Sequence, residues 1–230
     1  MKSILVLFGL LCTTAVMFSC NAQTNNLTAA QFGTDITKDS VQILDVRTPP
    51  EFESGHIKGA LMLDWNNEAE YKRRIAFIDK NKPVYVYCLA GGRSAAAAKQ
   101  MRAEGFTNVY ELSGGINAWK AAGKAIEGKS NAAQMSLAEV NAAINSHKTV
   151  LIDFGASWCP PCRRMEPILK SLQANNPGKL TIVKVDGSKD LELLKVYGVT
   201  ALPVFILFRD GKQVWRQDGV VSEKELADKL

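Results

Sequence analysis

Apolar positions recur along the chain in two rhythms, short unbroken runs and helical spacings, and the order in which they alternate predicts the architecture. Residues 41–46 and 84–88 are β-branched and aromatic runs suited to buried strands. Between them, residues 68–78 carry apolar positions at helical spacing. Residues 94–105 are rich in Ala, with Lys and Arg interspersed, and Gly105 is a stop signal. Strands alternating with helices imply a parallel sheet with helices on its faces. The rhythm breaks over residues 124–134, a polar, small-residue stretch containing Gly128, Ser130 and Asn131, and then restarts. Ser136 with Glu139 forms a capping-box pattern that opens a new helix. Strands are expected over 149–154 and 180–185, and helices over 160–173 and 191–197, the second stopped by Gly198. Residues 204–208 and 213–216 flank Asp210-Gly211, a hairpin-turn pair, and Ser222 with Glu225 caps a last helix. The fold class expected is α/β, in two domains.

The N-terminus departs from this pattern. Lys2 supplies a positive start, residues 4–18 are almost wholly apolar, and Ser19-Cys20 gives way to a polar stretch. This is the layout of a signal peptide, and the run is shorter than the roughly 20 apolar residues that span a bilayer. Ser19-Cys20 resembles a bacterial lipoprotein cleavage site, which implies lipidation at Cys20 and a protein exported to the cell envelope or periplasm. The expected division is a signal peptide over 1–20, a tether over 21–26, a first domain over 27–124, a linker over 125–134 and a second domain over 135–230. In the 230 residues, 47% apolar and 22% charged content are those of a globular protein. The net charge of +5 is scattered, with Arg73-Arg74 and Arg163-Arg164 the longest basic runs, so nucleic acid is not an expected partner.

Beyond Cys20 only Cys88, Cys159 and Cys162 remain, too few for a disulfide framework and therefore free for chemistry. Trp158-Cys159-Pro160-Pro161-Cys162 sits where a strand hands over to a helix. Free N–H groups and the helix dipole there favour a thiolate at Cys159, and Pro is tolerated in a first turn. Cys162, three residues on, shares its face, so one sulfur can attack a target and the other resolve the mixed disulfide. The competing use of such a pair is zinc, but the chain offers no further ligands at a usual spacing. No metal and no cofactor are expected. Residues 134–230 resemble thioredoxin. The resemblance implies that Asp153 helps deprotonate Cys162 with Lys184 as its partner, that Pro167 kinks the active-site helix, and that Pro203 is a cis-proline facing the sulfurs. Pro160-Pro161 replaces the family's usual Gly-Pro, and Val204 stands where Thr is usual after the cis-proline.

Cys88 ends an apolar strand, and Leu89-Ala90-Gly91-Gly92-Arg93-Ser94 leads into a helix. Two glycines let the backbone curl so that N–H groups converge on one spot, a nest that stabilises a thiolate or persulfide, with Arg93 adding charge. This loop, Leu44-Asp45-Val46-Arg47, Glu51-Phe52, the segment Gly55-His56-Ile57-Lys58-Gly59-Ala60, and Leu112-Ser113-Gly114-Gly115 with Ala118-Trp119 resemble rhodanese. The resemblance implies that Cys88 carries a sulfane sulfur and that His56 is a structural turn residue. Related phosphatases place five residues between Cys and Arg, whereas four separate Cys88 from Arg93, a smaller nest suited to one sulfur.

Together these features predict an exported thiol-disulfide oxidoreductase coupled to a sulfurtransferase. Cys88 would carry persulfide, and Cys159 with Cys162 would reduce it or exchange client disulfides. Its partners would be a sulfane-sulfur donor such as thiosulfate or a persulfide, client protein disulfides, and a membrane thiol-electron carrier. The alternative is a thioredoxin-type oxidoreductase whose rhodanese-like domain only binds.

Overall fold

Two sheets organise the chain, five-stranded and then four-stranded, in a computed structural model that describes residues 25–128 and 133–230. The expected signal peptide, Cys20 and residues 129–132 of the expected linker lie outside the described residues.

The first domain runs β1 (Asn26–Leu27), α1 (Ala29–Asp35), β2 (Gln42–Asp45), α2 (Pro49–Glu53), β3 (Leu61–Met62), α3 (Glu68–Ile75), β4 (Val84–Tyr87), α4 (Gly92–Ala103), β5 (Val109–Leu112) and α5 (Gly115–Ala121). Its strands are ordered β1-β5-β4-β2-β3, all parallel. The period-2 alternation of β4 shows why its run is apolar throughout. Val84, Val86 and Cys88 pack with Tyr71, Ile75, Ala97 and Met101 on one face, while Tyr85 and Tyr87 pack with Phe32, Phe52, Ile116 and Trp119 on the other.

The second domain runs α6 (Leu137–Ser146), β6 (Thr149–Gly155), α7 (Pro160–Asn175), β7 (Thr181–Asp186), α8 (Leu191–Val196), β8 (Val204–Arg209), β9 (Lys212–Asp218) and α9 (Glu223–Ala227). Its sheet is ordered β7-β6-β8-β9, with β6 and β7 parallel and the other pairs antiparallel. Ser136 and Glu139 form the expected capping box. Asp210 and Gly211 both take positive φ, 49° and 78°, as the two-residue hairpin requires. Leu151, Phe205 and Leu207 meet α7 through Met165 and Leu169, while Val150, Ile152 and Ile206 face α6 and α8.

Among the boundaries that differ from expectation, three have a clear physical reason. The tether placed over 21–26 ends sooner, because Asn26 is strand: β1 pairs with β5, and the Asn25 carbonyl accepts the Glu111 N–H at 2.7 Å. The linker placed over 125–134 begins later. The Ala125 carbonyl accepts the Trp119 indole N–H, and Glu127 exchanges two backbone hydrogen bonds with His56 at 2.6 and 2.8 Å. The helix expected from Ser94 starts at Gly92, because Gly91 at φ 112° serves as its N-cap.

Candidate functional site

Cys88 lies one residue beyond β4, where the chain turns into α4, and is 2% exposed. The Gly91 N–H reaches its Sγ at 3.1 Å, and the Ser94 hydroxyl at 3.4 Å. Burial pushes the thiol pKa up, but hydrogen bonds from the Ser94 side chain and from the backbone of Ser94, Gly91 and Ala90 outweigh it and bring the thiol below its ordinary value. The nest is therefore formed, with one correction. Only Gly91 needs glycine's freedom, for Gly92 is an ordinary first helical residue with open space at its Cβ position. Arg93 adds its charge near the Cys88 sulfur, and its guanidinium is held in place by a two-pronged ion pair with Glu51, at 2.6 and 2.7 Å. Arg93 holds the Glu51 carboxyl down at about 2, with Thr48 assisting against burial. Arg93 thus fastens the loop to α2.

The loop has a floor that the spacing of the motif does not reveal. The N–H groups of Ile116 and Asn117 cap the carbonyls of Cys88 and Leu89, at 2.9 and 3.2 Å. A Cβ on Gly115, which has φ 59°, would fall 2.5 Å from the Cys88 carbonyl oxygen. Beneath Tyr87, Asp45 and Arg47 form a buried ion pair at 2.6 Å, and Arg47 also donates to the Gly55 carbonyl. His56 stacks on Phe52 with ring centroids 3.8 Å apart, and its Nδ1 lies 3.0 Å from the Phe52 carbonyl oxygen. Its contacts hold a turn.

In the second domain, Cys159 is the N-cap of α7 and is joined to Cys162 by a disulfide. The Cys162 N–H lies 3.3 Å from the Cys159 Sγ, an orphan helix donor aimed at sulfur. Pro160 and Pro161 occupy the first turn, where no N–H is missed, and Pro167 lies inside the helix. The Leu202–Pro203 bond is cis, and Leu202 and Val204 pack in the same cluster as both cysteines. Asp153 and Lys184 are register partners in β6 and β7. Burial raises the Asp153 carboxyl to about 6, against the attraction of Lys184 and with Glu166 adding repulsion. Asp153 and Cys162 line one cavity of about 200 Å³ with Glu166 and Lys184. The Asp153 Oδ1 and the Cys162 Sγ both approach the same point beside Gly155.

From sequence alone, Glu51 and Gly115 were named only as motif residues, without a role at the loop, and Glu166 was not named. Glu51 offered a signal, as it stands in the Thr48 capping box, and Gly115 stood in a Gly-Gly pair; Glu166 gave none.

Two thiol centres, each at a strand-to-helix junction of its own α/β domain, define a two-domain protein built for sulfur chemistry. The family model described as Rhodanese-like domain matches residues 28–122, and the one described as Thioredoxin matches residues 131–230. A thioredoxin of Alicyclobacillus acidocaldarius is 34% identical over 100 residues, which are 43% of this chain and 95% of that protein. Chloroplastic thioredoxin Y1 of Arabidopsis thaliana is 39% identical over 87 residues, 38% of this chain and 51% of its own length. The chain spans about half the length of the chloroplast thioredoxins it matches. A rhodanese-related protein of Thermoplasma volcanium is 27% identical in its solved structure, with 44% of this chain and 96% of that one covered at a TM-score of 0.40. Through its second half the chain belongs to the thioredoxin family, with a rhodanese-like domain preceding it. This pairing supports thiol redox and sulfur-transfer chemistry in general.

Proposed function

We propose that this protein is an exported thiol-disulfide oxidoreductase coupled to a sulfurtransferase, anchored through Cys20. The observation that carries the reading is the Cys88 nest, in which N–H and hydroxyl donors converge on a buried sulfur whose thiol is already acidified. Cys88 thiolate attacks the outer sulfur of thiosulfate, the S–S bond breaks, and sulfite leaves with the electron pair. The Cys159 thiolate of the reduced pair attacks the outer sulfur of the Cys88 persulfide, taking that sulfur and returning Cys88 as thiolate. Cys162 then attacks the Cys159 sulfur and expels hydrosulfide, leaving the Cys159–Cys162 disulfide. Two electrons have passed from the dithiol to the sulfane sulfur, and a membrane dithiol carrier must restore them. Asp153, beside Cys162, takes the Cys162 proton. Client protein disulfides enter by the same exchange at Cys159. Export and anchoring are supported by the apolar run over 4–18 that ends at Ser19-Cys20.

Intact-mass analysis of the reduced chain lacking residues 1–20, after brief exposure to thiosulfate, tests the first step. One added sulfur atom on the parent and none on Cys88→Ser is the expected result. Unchanged turnover of the persulfide in Cys159→Ser would rule out the coupling. The alternative, an oxidoreductase with a binding module in front, draws support from the contact between Trp158 and the first domain. No adduct with thiosulfate or a second sulfane donor would favour it.

A further inference from the structure

The helix N-terminus supports Cys159 as the exchanging sulfur, yet Cys159 is 0% exposed while its partner Cys162 is 8% exposed. The segments around Cys159 face the first domain. The Trp158 carbonyl accepts the Met62 N–H of edge strand β3 at 3.0 Å. The Trp158 indole lies 5.0 Å from the Arg74 guanidinium carbon and 6.0 Å from the Phe52 ring. On the other side of Cys159, Pro160 lines a cleft with Gly59 and Leu61. Residues 200–202, which lead into Pro203, line a second cavity with Phe52, Met62 and Arg74.

Arg74 organises this contact. Its Nη1 donates to the Met62 carbonyl at 2.8 Å, and its Nε is paired with Glu70. The Met62 backbone is therefore held by Arg74 through its carbonyl and offered to Trp158 through its N–H. An edge strand's outward N–H is an open donor that another backbone can take. A guanidinium beside an indole in a buried setting adds a cation–π attraction.

We propose that Phe52, Met62 and Arg74 form a docking surface whose partner is the chain's own second domain, and that docking there closes the Cys159–Cys162 pair to exchange. The resting chain is closed, and both thiol exchange and sulfur transfer follow a parting of the domains. The proposal rests on the thiol-exchange reading of the pair but not on persulfide chemistry at Cys88. One short helix touches the surroundings of both centres. In α2, Glu51 grips Arg93 of the Cys88 loop, and the next residue, Phe52, meets Trp158. The exchange rate is then the rate of the open form scaled by its population.

Two measurements on the oxidised full chain test this. The first is the rate of disulfide reduction by dithiothreitol, read by thiol trapping and mass, in the parent and in Arg74→Ala. The expected result is about a tenfold acceleration, the scale of a desolvated cation–π contact together with the order it imposes on Met62. The second is hydrogen exchange at the Met62 amide in the parent, which needs no variant and decides alone should Arg74→Ala fail to fold. A protected amide is expected. Equal reduction rates in a folded Arg74→Ala chain, or a Met62 amide exchanging as fast as an open strand edge, overturns the proposal. A chain with no persulfide chemistry at Cys88 would leave both readouts unchanged, so the two readings fail separately.

Discussion

Ser94 gives Cys88 a backbone N–H from the first turn of a helix, and its hydroxyl lies between the Cys88 sulfur at 3.4 Å and the Gly91 carbonyl at 3.0 Å. Hydrogen bonds to a charged group favour its charged form, so Ser94→Ala should raise the Cys88 thiol pKa. The pH profile of alkylation by iodoacetamide measures it, and an unmoved midpoint would assign the acidity to the backbone alone. Asp153 works in the opposite sense. Its folded-state pKa of about 6 lies above the ordinary 3.8, so the group carries no penalty below pH 3.8. As pH rises from there through 6, the unfolded chain ionises first and stability falls, by roughly 3 kcal/mol at neutral pH. Asp153→Asn should therefore be more stable than the parent to urea at pH 8, with the gap closing near pH 4. The same variant should lose disulfide turnover on the order of a hundredfold, the usual worth of a positioned proton acceptor. Stability and turnover moving together would refute that role.

At the scale of elements, the Cys88 loop is a turn with a second turn beneath it. Gly115→Ala would drive a Cβ against two carbonyl oxygens at a backbone angle that disfavours side chains. A loss of roughly 2–4 kcal/mol in chemical denaturation is expected, together with slower alkylation of Cys88 as the loop shifts. This pair of turns also marks how far the site could be read in advance. The stretch from Cys88 to Ser94 and the pair at Cys159 and Cys162 were legible because their chemistry is local, a sulfur and the helix start that follows it. The alternation of strands and helices was legible in part, from the apolar runs of β2, β4 and β6, while β5, α1, α2 and α5 were not among the expected elements. The role of Glu51 was not legible, because it meets Arg93 across 42 residues, a proximity created only when β2 and β4 become neighbours. The charge that Arg93 brings to the loop is legible from its place in the motif, but the carboxylate that holds the guanidinium there is not. Met62 and Arg74 escaped for the same reason, since nothing in residues 62–74 announces a partner at Trp158. The two-residue strands β1 and β3 are too short to show a period.

Across the whole molecule, the packed clusters divide by domain, with the Trp158 indole as the apolar side chain that joins a cluster of the other domain. Heat unfolding should accordingly depart from a single two-state transition, with a calorimetric enthalpy larger than the van't Hoff value. Equal enthalpies would mean that the contact at Trp158 fuses the two domains into one cooperative unit. The fastening of Glu127 to His56 has a different consequence. It holds the chain to the first domain through residue 127, and the Met135 N–H is held by Asp190 at 2.8 Å in the second. Only the residues between Gly128 and Met135 are left to span any separation, a leash of roughly 25 Å at full stretch. A leash this short lets the parted domains swing about its anchors but not drift away, so the surfaces that cover Cys159 stay within reach of each other after every opening.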